Sequence, residues 1–229
     1  MLGGAAYSYP NDFLKSFPEA TLDVVEIDPG LTRIARRYFR LRDNPRLRIF
    51  HEDGRIFLNR AKEKYDVIFG DAFHSVHSIP FHLTTVESAK AMYDHLTDGG
   101  VAFINIISAI EGKKGRFLRA EYRTFRSVFP QVYLFPVHDS VDGKRVFNIV
   151  LVAIKSEKIP ARSSVNPEIQ ECLNHLWKKE IPQDMPVLRD AFAPTDRLMA
   201  PILPTKRRNK AVEQMRDNAE KVLQSLLSR

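Results

Sequence analysis

The chain has 229 residues, 44% hydrophobic and 28% charged, a balance that excludes wholesale disorder and suits one α/β domain. No apolar run reaches the roughly 18 residues needed to cross a bilayer. The single cysteine, Cys172, excludes an internal disulfide and a cysteine-based zinc cluster. The lone cysteine points to a reducing compartment, so the chain is expected to be cytoplasmic, and no signal peptide is expected at its start. The formal charge is +7. Residues 205–229 hold seven basic and three acidic side chains, so +4 resides there and +3 on the remainder. A solvated helical tail accounts for this better than a nucleic-acid surface, and no nucleic-acid partner is expected.

The chain opens on Met1-Leu2 and runs directly into Gly3-Gly4, as if at the last residues of a strand. Short β-rich runs then alternate with helical patterns, the signature of a parallel sheet with crossover helices. Strands are expected at 22–27, 47–51, 65–70, 101–107, 131–137 and 146–154. Helices are expected at 10–17, 29–39, 55–62, 85–96 and 115–129. Asp28 is placed to cap the second helix with Pro29 at its first position. Leu31, Ile34, Ala35 and Tyr38 form its apolar stripe, while Arg33, Arg36, Arg37 and Arg40 form a solvated face. Asp98-Gly99-Gly100 reads as a stop and turn. The last two strands flank Asp142-Gly143 and read as a hairpin. A parallel sheet finished by an antiparallel hairpin predicts a class I methyltransferase-like Rossmann fold over residues 1–155. Its first strand is expected to be truncated and to leave ladder groups unpaired. Seven prolines between Pro160 and Pro204 mark residues 156–229 as a wrapping segment with a basic helical tail. Trp177 and Phe192 are expected to pack that segment against the sheet.

In an open parallel sheet, ligands sit beyond the carboxyl ends of the strands. Four such ends carry suggestive residues. Gly3-Gly4-Ala5-Ala6-Tyr7-Ser8 leads into a helix, and its small residues let backbone N–H groups approach a ligand; a tight strand-to-helix turn explains them equally well. Glu26-Ile27-Asp28 ends the next strand. An ionised acid there offers two oxygens to a ribose diol, against the plainer reading of an exposed strand-end acid. Asp53-Gly54-Arg55 follows the third strand, where Asp53 can accept from an exocyclic adenine amine, cap a helix, or do both. Asp71 ends the strand at 65–70 before a long loop carrying His74 and His77. It is suited to take a proton from an amine nucleophile, or else to cap a turn. His74, His77 and His82 lack the spacing and partners of a metal site, so no metal is expected and the loop that carries them is read as substrate-facing or merely solvated.

In order and spacing, these segments, with Tyr65-Asp66-Val67-Ile68 and Asp98-Gly99-Gly100-Val101, resemble the spermidine synthase family of polyamine aminopropyltransferases. The resemblance covers roughly residues 1–154, and 187–194 is similar to a C-terminal feature of the spermidine synthase-like subgroup. It implies a decarboxylated S-adenosylmethionine donor and a small-molecule amine acceptor. Gly3, Gly4, Glu26, Ile27, Asp53 and Gly54 would hold the nucleoside, with Glu26 on the ribose and Asp53 on the adenine amine. Asp71 would accept the proton of the attacking amine, and Tyr7 and His74 would face the substrate. A homodimer is a further family expectation. Two positions depart from the family pattern. Ala5 and Ala6 stand where synthases carry an acid in the glycine loop, and His74 stands where they carry a second acid. Each lost charge pair is worth about 2–5 kcal/mol when desolvated, so the nucleoside half of the site matches better than the acceptor half. An S-adenosylmethionine-dependent methyltransferase and a non-catalytic nucleoside-binding domain are the alternative readings.

Overall fold

The computed structural model describes residues 1–72, 80–137 and 142–203. Along the chain these form α1 (Ser8–Ser16), β1 (Leu22–Val25), α2 (Pro29–Tyr38), β2 (Leu47–Phe50), α3 (Gly54–Arg60) and β3 (Tyr65–Gly70). A 3-10 turn (Phe81–Leu83) precedes α4 (Val86–His95) and β4 (Leu96–Ser108), and another (Lys113–Gly115) leads into α5 (Arg116–Arg126), followed by β5 (Gln131–Pro136), β6 (Phe147–Ile154), α6 (Pro167–Asn174) and α7 (Thr195–Met199).

β1 and β2 pair in parallel, as do β3 and β4, whereas β6 runs antiparallel to both β4 and β5. The two parallel pairs are joined by one residue. Leu2 bridges Val25 on one side and Gly70 on the other, both in parallel sense. Leu2 N donates to Phe69 O at 2.7 Å and Asp71 N to Leu2 O at 2.9 Å. Across the other edge, Val25 N donates to Met1 O at 2.9 Å and Gly3 N to Val25 O at 2.8 Å. The spatial order is therefore β2-β1-Leu2-β3-β4-β6-β5, the doubly wound arrangement with its antiparallel end.

The expected gap in the central ladder is spanned differently from a full strand. Toward the start of β3, side chains link the neighbours. Tyr65 Oη donates to Asp23 Oδ2 at 2.8 Å, and Arg48 grips the same buried carboxylate through two nitrogens at 2.7 and 2.6 Å. Burial, then the Asp23 contact, pushes the Tyr65 phenol well above its ordinary range.

One face of the larger sheet is closed by α4 and α5. Alternate β4 residues Ala102, Ile104 and Ile106 bury against Phe117, Leu118, Phe125 and Phe129. The C-terminal segment wraps this same layer. Leu188 is fully buried, its carbonyl accepting from Val86 N at 2.9 Å and its N–H donating to Thr124 Oγ1 at 2.9 Å. Arg119, buried on α5, clasps Asp184 bidentately at 2.6 and 2.9 Å.

Three expectations shift. The Asp98-Gly99-Gly100 turn lies inside β4 as a bulge, because the β3 register jumps from Tyr65↔Leu96 to Val67↔Val101. The α2 stripe is narrower than its sequence suggests: Thr32 and Ala35 bury, while Ile34 and Tyr38 stay exposed. Trp177 packs against the core, but Phe192 is 63% exposed because its backbone pairs with Arg189 in a tight bridge.

Glu121 on α5 is wholly buried, and its Oε2 finds no hydrogen-bond partner among the described residues. Burial holds its carboxyl well above the usual value of 4.5. The native state keeps this proton while the unfolded chain releases it, so stability is highest below that value and falls as pH rises. Denaturation measured from about pH 4 to about pH 8 should show wild type losing stability relative to Glu121→Gln, which cannot ionise. Parallel profiles would contradict this assignment.

Candidate active site

The acids singled out from sequence fall along one edge of the sheet. Asp53 follows β2, Glu26 follows β1 and Asp71 follows β3, with the segment from Gly3 to Tyr7 between the last two. Each position has a local cause. Asp53 is extended and caps α3, its Oδ1 accepting from Arg55 N at 2.8 Å and Ile56 N at 3.1 Å. Asp28 caps α2 through Gly30 N at 2.7 Å, ahead of Pro29 at the first helical position. Ile27, between Glu26 and Asp28, is 55% exposed and presents bare hydrocarbon at the strand end.

Glu26 is more deeply committed than a free ribose acceptor. It is 2% exposed, and its Oε2 accepts from Gly4 N at 2.8 Å and Ala5 N at 3.2 Å. Its Oε1 accepts from Asp28 N at 2.9 Å. A carboxylate offers about four lone-pair sites, so roughly one remains for a ribose hydroxyl while the loop stays in place. The loop that it holds is strained. Ala5 and Tyr7 have φ of 45° and 59°, in the left-handed region that costs about 1–2 kcal/mol for a side-chain-bearing residue. The bonds to Glu26 offset that cost.

Gly3 shows why this turn needs glycine. Its φ is +92°, and a Cβ built there would lie 2.5 Å from the Asp71 carbonyl oxygen. The space between Glu26 and Asp71 is thus occupied by the backbone of Gly3, Gly4 and Ala5 rather than by side chains. Gly54, on the far side, packs near Leu2 and Leu83.

Tyr7 does not face a substrate. It is 0% exposed, clustered with Val24, Ala35 and Leu41, and its hydroxyl lies 2.7 Å from Thr32 Oγ1. Thr32 is in turn 2.9 Å from His51 Nε2. The left-handed backbone at Tyr7 turns the ring under α2 and away from the edge, so its role is to anchor the loop. His74 and His77 lie outside the described residues. Among the described residues, no group of three or more His, Cys, Asp or Glu side chains is arranged to hold a metal ion.

Two contacts at the site go beyond the sequence reading. Asn105 Nδ2 donates to Asp71 Oδ1 at 3.0 Å. Its signal was parity: Asn105 alternates with Val101 and Phe103 on β4, as Asp71 continues the alternation of Val67 and Phe69 on β3. The second is His82, whose Nε2 lies 2.9 Å from Asp53 Oδ2. Burial opposes the Asp53 charge, but the two helix N–H bonds and His82 outweigh it and hold this carboxyl below the usual range. An apolar cavity of about 1010 Å³ lies off this edge, against the sheet face that carries Phe69, Phe103 and Val152 and beside α6.

A family model for the spermine/spermidine synthase domain matches residues 13–138, more than half of the chain. The chain belongs to that family. A polyamine aminopropyltransferase of Vibrio vulnificus is 33% identical over 160 residues, covering 69% of this chain and 50% of that protein. This family member thus spans about half the length of that curated relative. A probable spermidine synthase from Corynebacterium glutamicum superposes with a TM-score of 0.63 at 26% identity, over 79% of this chain and 63% of the other. Human methyltransferase-like protein 13, solved with SAH, superposes with a TM-score of 0.56 at 21% identity, over 76% and 77%. The fold is therefore the class I methyltransferase-like one that spermidine synthases share. No described helix is long and apolar enough to cross a membrane.

Replacing Gly3 by alanine should destabilise this family member by more than the roughly 1–2 kcal/mol of the left-handed conformation alone, because the Cβ also meets the Asp71 carbonyl. Chemical denaturation measures this directly. A Gly3→Ala variant as stable as wild type would contradict the close approach.

Proposed function

We propose that the chain is a transferase acting on an adenosyl sulfonium donor, passing an aminopropyl group from decarboxylated S-adenosylmethionine to an amine acceptor. The observation that carries this reading is the alignment of Asp53, Glu26 and Asp71 along one strand edge, with the glycine loop bonded between them. Asp53 keeps acceptor capacity on Oδ2 for an exocyclic amine. Glu26 keeps about one acceptor site for a ribose hydroxyl, and the second hydroxyl would require Gly4 or Ala5 N–H to let go. Exposed Ile27 offers an apolar surface to a purine face.

The chemistry asks little beyond alignment and one proton transfer. A sulfonium is already an activated leaving group. The amine lone pair forms the new C–N bond at the methylene beside sulfur, the C–S bond breaks, and its electron pair stays on sulfur as methylthioadenosine. The amine's surplus proton passes to the Asp71 carboxylate, which the Asn105 amide orients at 3.0 Å.

A methyltransferase on the same scaffold is the second reading, and Ala5 and Ala6 favour it. The S-adenosylmethionine carboxylate would be repelled by an acid in the glycine loop, and the chain carries none there.

Calorimetric titration with methylthioadenosine, decarboxylated S-adenosylmethionine and S-adenosylmethionine separates these readings. Tighter binding of the decarboxylated donor is the expected result, and preference for S-adenosylmethionine would transfer the assignment to methyl transfer. Binding of none of the three would overturn both. Asp71→Asn should reduce turnover by about 10²–10⁴-fold while leaving nucleoside affinity within a few-fold. Full activity in that variant would remove Asp71 as the base.

A further inference from the structure

Asp53 receives hydrogen bonds from two directions, and only one is explained by helix capping. Its Oδ1 is used by the first N–H groups of α3, from Arg55 and Ile56. Its Oδ2 meets the His82 ring at 2.9 Å. An ionised carboxylate only accepts, so the imidazole carries its hydrogen on Nε2 and donates. Oδ2 has about two lone-pair sites, of which His82 takes one and leaves one. Asp53 and His82 side chains are 23% and 35% exposed, so the pair lies at the surface of the site rather than in the core.

His82 is itself held in place. It sits in the 3-10 turn Phe81–Leu83, with its ring edge-on to Phe81 at 5.6 Å between centroids. Its carbonyl accepts from Arg55 Nη1 at 3.2 Å. Arg55 Nη2 reaches Asp190 Oδ2 at 3.0 Å, and Thr85 Oγ1 donates to Asp190 Oδ1 at 2.6 Å. Asp190 N closes the cluster on Glu87 Oε2 at 3.0 Å. The turn is thus fixed by α3, by the start of α4 and by the C-terminal wrapping segment together.

From this geometry we infer that His82 is a positioning residue for base recognition. It fixes the plane of the Asp53 carboxylate so that the open Oδ2 site faces an exocyclic amine, and thereby selects 6-aminopurine nucleosides over purines lacking that amine. The inference rests on the nucleoside reading above. The helix N–H groups alone fix Oδ1 and leave the carboxylate free to turn about it. With the His82 donor in place the second oxygen is fixed too, and a preset acceptor loses less on binding than one that must be ordered.

The test compares the Kd of methylthioadenosine with that of its analogue lacking the 6-amino group, for wild type, His82→Phe and His82→Gln. Phenylalanine keeps a ring beside Phe81 and removes the donor; glutamine keeps an N–H donor. Wild type should prefer the amine-bearing ligand by about tenfold, the scale of one hydrogen bond to a charged acceptor. His82→Phe should reduce this ratio to about two- or threefold, and His82→Gln should recover most of it. A purely structural role would weaken both ligands equally and leave the ratio unchanged, which would overturn the proposal. If His82→Phe does not fold, His82→Leu, which also lacks a donor, takes its place: a ratio reduced to about two- or threefold supports the proposal and a ratio equal to that of wild type overturns it. A wild type that binds neither ligand would overturn the nucleoside reading itself, a result distinguishable from an unchanged ratio.

Discussion

The arrangement depends on the two-sided pairing of Leu2. Four backbone hydrogen bonds at residues 1–3 and 71 hold β1 and β3 on either side of Leu2, which takes the strand position between them. That placement sets every later distance at the edge. It puts Gly3 against the Asp71 carbonyl and turns Gly4 and Ala5 N–H onto Glu26. Because Cβ is absent at Gly3, the backbones of loop and strand can touch. A side chain there would separate the two halves of the site.

The same carboxylates serve structure and candidate recognition at once. Asp53 terminates α3, Asp28 terminates α2, and Glu26 gathers three backbone N–H groups from two loops. Backbone donors that would otherwise be orphaned at helix starts and turns are satisfied by carboxylates, which are in turn fixed in orientation. A ligand that meets these acids meets groups already oriented, and the reorganisation cost on binding is correspondingly low at Asp53. At Glu26 the cost is higher, because the Gly4 and Ala5 N–H groups compete for the same oxygen.

Much of the fold was legible from periodicity and punctuation. The strand at residues 65–70 matches β3 throughout, since its apolar run and following Asp71 mark both ends. The cap at Asp28 with Pro29 matches α2 for the same local reason. What the sequence pattern could not convey was three-dimensional sharing. Tyr7 looked like a loop aromatic near substrate, but a left-handed backbone turns it into the small core with Val24 and Ala35. Thr32 belongs to no apolar stripe, yet buries because its hydroxyl bridges Tyr7 and His51. His82 read as one of three loop histidines, and only the folding of the 3-10 turn against α3 brings it to Asp53. Contacts separated by nearly thirty positions leave no periodic trace in the chain.

The central claim is that one strand edge of this spermidine synthase family member receives an adenine nucleoside. An experimental structure of the chain with methylthioadenosine tests it most directly. The account predicts the exocyclic amine on Asp53 Oδ2, a ribose hydroxyl on Glu26 and the methylthio end toward Asp71. A nucleoside seated instead in the apolar cavity beside α6, with all three acids untouched, would contradict it.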